Sequence, residues 1–307
     1  MVTSTKTRES ALGPIAVIIN GSAGSGHDDK AAASLRARFA AQGMTATITL
    51  ARSGADIIAA AQAAVAEGAA IVVAGGGDGT INAVASALVD TGVHFGVLPL
   101  GTLNHFAKDL GIPLDLDGAI GNVARGQARQ VDVGEVNGRI FLNNSSLGLY
   151  PDIVRDREKQ QRRLGRGKWL AAAWATIAAL RRYPFLSVRM KVGDGAHARR
   201  TPFVFIGNNE YTMEGFSIGE RSRLDGGTLS LYVAQRPGRL ALLRFAWRAL
   251  RGGLAQERDF DVMLAETLEI STHHKRLRVA TDGEVTIMPT PLLYRIRHAA
   301  LTVIAPA

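Results

Sequence analysis

The amino-acid sequence predicts two domains, an α/β unit on a parallel sheet followed by a mainly antiparallel β unit, and three observations lead there. Short apolar runs alternate with helical patterns between residue 14 and about residue 130, the rhythm of strand-helix units on a parallel sheet. Beyond residue 130, strands follow one another through turns. The chain has 307 residues, 47% of them hydrophobic, enough for two ordinary cores. The expected division is a flexible polar arm over 1–13, an α/β domain over 14–130 and a β-rich domain over 131–307.

The first strand is read from Ile15-Ala16-Val17-Ile18-Ile19, a continuous apolar run between Pro14 and a glycine cluster that suits burial on both faces. A helix is expected from Asp29 to Ala41, a second strand from Thr45 to Leu50 and a helix from Ala55 to Glu67. A third strand from Ala70 to Val73, a helix from Thr80 to Val89 and a fourth strand from His94 to Leu100 complete the α/β part. Asn137-Gly138 then separates Val131–Val136 from Arg139–Asn143. That dipeptide is a strong hairpin signal, because both central positions of a type I′ turn need positive φ. Further strands are expected at Leu186–Val192, Thr201–Ile206, Thr228–Ala234, Thr267–Ile270, Leu277–Ala280, Val285–Met288 and Ala300–Ile304, with helices at Lys168–Arg182 and Arg239–Leu250.

Composition narrows the chemistry. With no cysteine there is no disulfide framework, thiolate nucleophile or Cys-ligated zinc, which fits a reducing compartment. A formal charge of +9 and a pI near 10.2 predict attraction to something anionic: a nucleotide, a nucleic acid or an acidic bilayer. No interleaving of aromatic and basic residues favours nucleic acid. The run at Ile15–Ile19 is too short for a signal-peptide core. The most apolar helical stretch, Trp169 to Leu180, falls short of the roughly 20 residues that span a bilayer, so a soluble protein is expected.

The sharpest motif is Gly75-Gly76-Gly77-Asp78-Gly79-Thr80-Ile81-Asn82, where a strand runs through a glycine turn into a helix start. Backbone amides bare of side chains can close on phosphate oxygens there, and the helix N-terminus adds partial positive charge. No Gly-Lys-Ser/Thr closes the loop, so it is not a Walker A motif, and the glycine spacing does not fit a dinucleotide fingerprint. Asp78 beside bare phosphates calls for a cation, and Mg²⁺ held through water is the natural choice. The plainer alternative is a strand-helix turn with no ligand. Two more polar loops fall at carboxyl ends of strands, Asn20-Gly21-Ser22-Ala23-Gly24-Ser25-Gly26 and Pro99-Leu100-Gly101-Thr102-Leu103-Asn104, where open α/β sheets place their ligands.

Taken together, these loops resemble the catalytic domain of diacylglycerol kinases, sphingosine kinases and bacterial lipid kinases, a family distantly related to NAD kinase. The resemblance rests on Asn20-Gly21-Ser22-Ala23-Gly24, Gly76-Gly77-Asp78-Gly79-Thr80, Pro99-Leu100-Gly101-Thr102-Leu103-Asn104-His105-Phe106-Ala107 and the late Asp282-Gly283-Glu284, in the family's order and spacing. It implies a Rossmann-like, NAD kinase-like first domain, a β-sandwich second domain and an ATP-dependent lipid kinase. Asn20 to Gly24, Gly76, Gly77, Asp78, Gly79, Thr80, Asn82, Gly101, Thr102 and Asn104, with Thr49 at the end of the second strand, would line the ATP site. Asp78 would also reach Mg²⁺ through water, and Asp282 or Glu284 would take the proton of the lipid hydroxyl. Read without the family, Asp282-Gly283 is equally an ordinary hairpin turn between Leu277–Ala280 and Val285–Met288.

Two departures stand out. His105 occupies the place of a family aspartate, and Leu224-Asp225-Gly226-Gly227-Thr228 lacks the second aspartate with which some relatives hold a structural Mg²⁺. Arg162, Arg163, Arg166, Lys168, Arg181 and Arg182 bracket the apolar helix around Trp169, which suits docking on an anionic membrane; the alternative is a core helix with solvated ends. His273-His274, beside Lys275 and Arg276, has no metal-ligand spacing. The partners implied are a diacylglycerol-like lipid and the inner face of the membrane, approached from the cytoplasm, with no nucleic acid and with a homodimer left open. The rival readings are a NAD kinase-like enzyme, suggested by Gly207-Asn208-Asn209-Glu210, and a catalytically inactive nucleotide-binding regulator.

Overall fold

The computed structural model describes residues 13–21, 29–148, 186–193, 195–214, 217–234 and 260–307, so the helices expected at Lys168–Arg182 and Arg239–Leu250 lie outside the described residues. The chain divides into two units, Met1–Val131 with Ala299–Ala307, and Asp132–His298.

The first unit carries β1 (Ile15–Asn20), α1 (Asp29–Ala41), β2 (Ala46–Ala51), α2 (Gly54–Ala66), β3 (Ile71–Gly76), α3 (Asp78–Leu88), β4 (His94–Pro99), α4 (His105–Asp109) and α5 (Leu116–Arg125). The strands run parallel in the order β2-β1-β3-β4. Every residue of β3 is buried, which is why a continuous apolar run, rather than an alternating one, marks a central parallel strand. Ser53 starts α2 by accepting the Asp56 amide at 3.2 Å, and Asp115 starts α5 by accepting that of Gly118 at 2.8 Å. The helices pack as pairs, α2 with α3 and α1 with α5. The unit is completed by the end of the last strand, β18 (Leu292–Ala305), whose Thr302 and Val303 lie parallel to His94 and Phe95 of β4.

A strand beginning in the first unit, β5 (Gln127–Val136), leads into the second. There follow β6 (Arg139–Phe141), β7 (Asn144–Gly148), β8 (Leu186–Val192), β9 (Gly195–Thr201), β10 (Phe203–Asn208), β11 (Tyr211–Glu214), β12 (Ser217–Arg221), β13 (Leu229–Ala234), β14 (Phe260–Ala265), β15 (Thr267–Thr272), β16 (Arg276–Thr281) and β17 (Glu284–Pro289). The first part of β18 pairs antiparallel with β15, and β15 continues through β8 to β9. A second antiparallel sheet runs β14-β13-β10-β7-β16-β17. Val188, Met190, Ile270 and Tyr294 from the one sheet, and Leu147, Ile206, Leu231 and Val279 from the other, share one buried core. The arrangement is a β-sandwich, in which β8 alternates buried and exposed positions while β10 is buried along nearly its whole length.

Both hairpins expected from the sequence form. Asn137 and Gly138 have φ of 47° and 83°, and Asp282 and Gly283 have φ of 47° and 84°.

Candidate active site

The order β2-β1-β3-β4 reverses between β1 and β3, so the loops leaving their carboxyl ends part and open a crevice between them. Asn20 ends β1 on one side of it, and Gly76 ends β3 on the other. The Asn20 side-chain amide donates to the Thr80 hydroxyl at 3.3 Å and ties the two sides together. Gly21 donates its N–H to the Ala51 carbonyl at 2.8 Å. Ser22, Ala23 and Gly24 lie outside the described residues. Thr49 sits on the neighbouring β2, in register with Ile18, with its side chain exposed.

Gly77 caps α3 from an extended conformation, φ −86° and ψ −178°, and has no side chain to accept the amides of the first turn. Those N–H groups therefore remain available to an anion, with the helix dipole behind them. A Cβ at Gly76 would fall 2.5 Å from the Thr80 hydroxyl, so the turn onto α3 leaves no room for a side chain. Asp78, in that first turn, has a buried Oδ1 with no hydrogen-bond partner. A carboxylate oxygen buried in this way is costly unless something supplies positive charge or a donor, and a hydrated divalent cation supplies both. Asp78 thus fits Mg²⁺ held through water. Gly79 is exposed, and Asn82 lies half-buried on the same helix.

The third loop meets the second backbone to backbone: a Cβ at Gly101 would lie 2.4 Å from the Cα of Gly77. Asn104 holds this loop in shape. It is buried in the left-handed region at φ 51°, its Oδ1 accepts the Gly101 amide at 3.1 Å, and its Nδ2 donates to the carbonyls of Gly101 at 2.9 Å and Pro99 at 3.2 Å. Its side chain is taken up by the loop, whereas Thr102 and His105 are exposed. Asn20, the Gly76–Thr80 turn and Gly101 are therefore gathered on one sheet rim, with Thr49 a strand away.

In the second unit, Asp282 and Glu284 sit at the tip joining β16 to β17, and their surroundings differ sharply. The Asp282 carboxylate accepts three successive backbone amides, from Leu142 at 2.7 Å, Asn143 at 2.9 Å and Asn144 at 3.0 Å. Glu284 extends from the far side of the turn, 73% exposed, and its carboxylate meets the guanidinium of Arg139. Around the same segment, buried Arg221 donates to the Leu142 carbonyl at 2.6 Å and to Asn143 Oδ1 at 2.9 Å. Asn208 donates to the carbonyls of Leu142 at 2.8 Å and Asp132 at 2.9 Å, so this member of the Asn208-Asn209-Glu210 stretch braces strands.

The loop at Asp225 offers a poor cation site. Asp225 accepts from Arg223 at 3.0 Å, Gly226 has no side chain to add, and Asp132 receives the Gly227 amide at 2.7 Å. Among the described residues no group of three His, Cys, Asp or Glu side chains could hold a metal, and no helix is long and apolar enough to cross a membrane. Inside the sandwich, burial pushes the Tyr294 phenol well above its usual value of 10.0, only partly offset by its 3.0 Å hydrogen bond with Ser145. Burial raises Tyr232 as well.

Sequence reasoning missed Arg139 and the amides of 142–144. The Asn137-Gly138 turn signalled a hairpin there but not what its second strand would face.

Comparison with known proteins bears on the fold and the family. The family model of the diacylglycerol kinase catalytic domain matches residues 14–136, and that of the YegS C-terminal NAD kinase beta sandwich-like domain matches residues 152–305. A diacylglycerol kinase of Bacillus subtilis is 29% identical over 234 residues, covering 74% of this chain and 76% of its own. A protein of Pseudomonas aeruginosa named as a probable YegS-like lipid kinase is 30% identical over 253 residues, covering 80% of this chain and 79% of its own. A crystal structure of a diacylglycerol kinase from Bacillus anthracis shares the fold, with a TM-score of 0.69 at 20% identity over 97% of this chain and 98% of that one. The two family models and these relatives together match most of the sequence, and the chain belongs to the diacylglycerol kinase and YegS-like lipid kinase family.

Proposed function

We propose that this chain is an ATP-dependent lipid kinase that moves the γ-phosphoryl group of ATP to a hydroxyl of diacylglycerol or a related lipid. The observation that carries the reading is the convergence of Asn20, the Gly76–Thr80 turn and Gly101 on one rim, beside a helix start without a side-chain cap and an orphaned Asp78 oxygen. In this proposal residues 14–130 bind the nucleotide. Amides of the glycine turns and of the α3 N-terminus receive the phosphates, with Thr102 exposed beside them and Thr49 further out. Asp78 would hold Mg²⁺ through water, and the ion would supply charge that neutralises the phosphates.

Residues 131–307 bind the lipid and provide the base. Glu284 is the better candidate, because the lone pairs of Asp282 already accept three amides while Glu284 is exposed. As the lipid oxygen bonds to the γ-phosphorus, its proton passes to the Glu284 carboxylate. The bond from that phosphorus to the β,γ-bridging oxygen breaks, and ADP leaves. Asp282 keeps the turn in place. The net charge of +9 favours work at the cytoplasmic face of an anionic membrane, where such an acceptor resides.

The test is transfer of labelled phosphate from ATP to diacylglycerol in anionic vesicles, with NAD offered in parallel. Asp78→Ala should lower turnover by about 10²–10³-fold, as expected when charge stabilisation is lost. Glu284→Gln should lower it by about 10²–10⁴-fold. Near-normal turnover in either variant removes that residue's role, and phosphorylation of NAD alone removes the lipid acceptor.

A further inference from the structure

We infer that Arg139 is a positioning residue that aims the Glu284 carboxylate at the acceptor hydroxyl, an inference that rests on the reading of Glu284 as the base. The segment from Arg139 to Asn144 grips the β16–β17 tip at two points. Leu142, Asn143 and Asn144 hold Asp282 through their amides, and Arg139 Nη2 donates to Oε2 of Glu284. The first grip fixes the backbone of the tip. It leaves the Glu284 side chain, 73% exposed, free to sample rotamers unless a second group holds it.

Arg139 can do this because its own backbone is anchored. It follows the Asn137-Gly138 turn, where Asn137 donates to the Pro289 carbonyl at 3.0 Å and accepts the Leu293 amide at 2.8 Å. The turn that presents Arg139 is thereby tied to the two ends of the β17–β18 bend. A guanidinium is planar and always charged, so one N–H directed at Oε2 orients the carboxylate and leaves Oε1 to receive the proton of the hydroxyl. An exposed ion pair adds little to stability, so the effect of this one belongs in turnover.

The test uses the full chain on diacylglycerol vesicles with Arg139→Ala, Arg139→Lys, Glu284→Gln and the double variant R139A/E284Q. Arg139→Ala should lower kcat by about 10–10²-fold with the KM values for ATP and lipid unchanged, the size expected for a misplaced reacting group. Arg139→Lys should recover part of the loss, and so should guanidinium ion added to R139A. In the E284Q background, removing Arg139 should cost nothing further, because its only effect runs through that carboxylate. Wild-type kcat in R139A overturns the inference, and so does a further loss in the double variant, which would mean that Arg139 acts on the phosphate directly. Wild-type kcat in E284Q instead overturns the base assignment itself. Thermal melts accompany each variant; if R139A fails to fold, R139K and R139Q carry the same comparison.

Discussion

Both units build their candidate residues around backbone amides, and they use them in opposite ways. In the α/β unit the first-turn amides of α3 have no side-chain cap from Gly77 and face outward from a rim, ready for an external anion. In the β unit the three amides of Leu142, Asn143 and Asn144 already hold an internal anion, the Asp282 carboxylate. The same donor group is thus left open to a ligand where a glycine caps the helix, and gives rigidity where an aspartate closes it. The first unit needs glycine for this, and the second needs a charged side chain in a fixed turn.

The contrast can be tested at graded strength. Of three further tests, the largest effect is expected for Gly101→Ala, whose new Cβ would lie 2.4 Å from the Cα of Gly77 and force the two loops apart. Displacement on the ångström scale should lower kcat/KM for ATP by about 10²-fold with the lipid KM unchanged. Steady-state kinetics read this directly, and an unaltered value would mean that the close approach of these loops has no part in nucleotide binding.

Asp282→Asn comes next. It places an NH₂ group among amide donors and should cost about 1–3 kcal/mol of stability, seen as a lower urea midpoint. Turnover should fall less than in Glu284→Gln. A variant as stable as the parent would show that the three amides find other partners.

The smallest effect concerns pH. All five tyrosines of the chain lie between Asp132 and His298, and burial raises Tyr294 and Tyr232 above 10.0. Below pH 10 these phenols are protonated in both folded and unfolded chains. Above it the unfolded chain releases the proton while the folded one retains it, so stability falls as pH rises past 10. Alkaline titration followed by hydrogen exchange should therefore loosen the β unit before the α/β unit, and Tyr294→Phe should blunt the trend.

Much of this architecture could be read from the sequence, for local reasons. Strands β1, β3 and β4 announced themselves because burial on both faces demands uninterrupted apolar runs. The two tight turns did so because Asn-Gly and Asp-Gly tolerate positive φ. Helix α5 escaped notice although Asp115 caps it, because Gly118 and Gly121 dilute its helical pattern. Strand β18 was read only over its last, apolar residues, since Arg295, Arg297 and His298 break the apolar run in its first half, where buried and exposed positions alternate. In the candidate site, the glycine loops were legible as motifs. The capture of Asp282 and the pairing of Glu284 with Arg139 were not, because the partners lie 138–145 residues apart and only folding brings them together.

The path of β18 sets a limit on dissecting the molecule. A fragment ending at Val131 would lack Thr302 and Val303 and would leave the outer side of β4 from His94 to Phe95 unpaired, an open strand edge that invites self-association. Removing only the tail after Ala299 would wound the same strand while sparing most of the sandwich. The segment Ala299–Ala307 is therefore a structural part of the glycine-loop unit, and its removal should destabilise that unit before the sandwich.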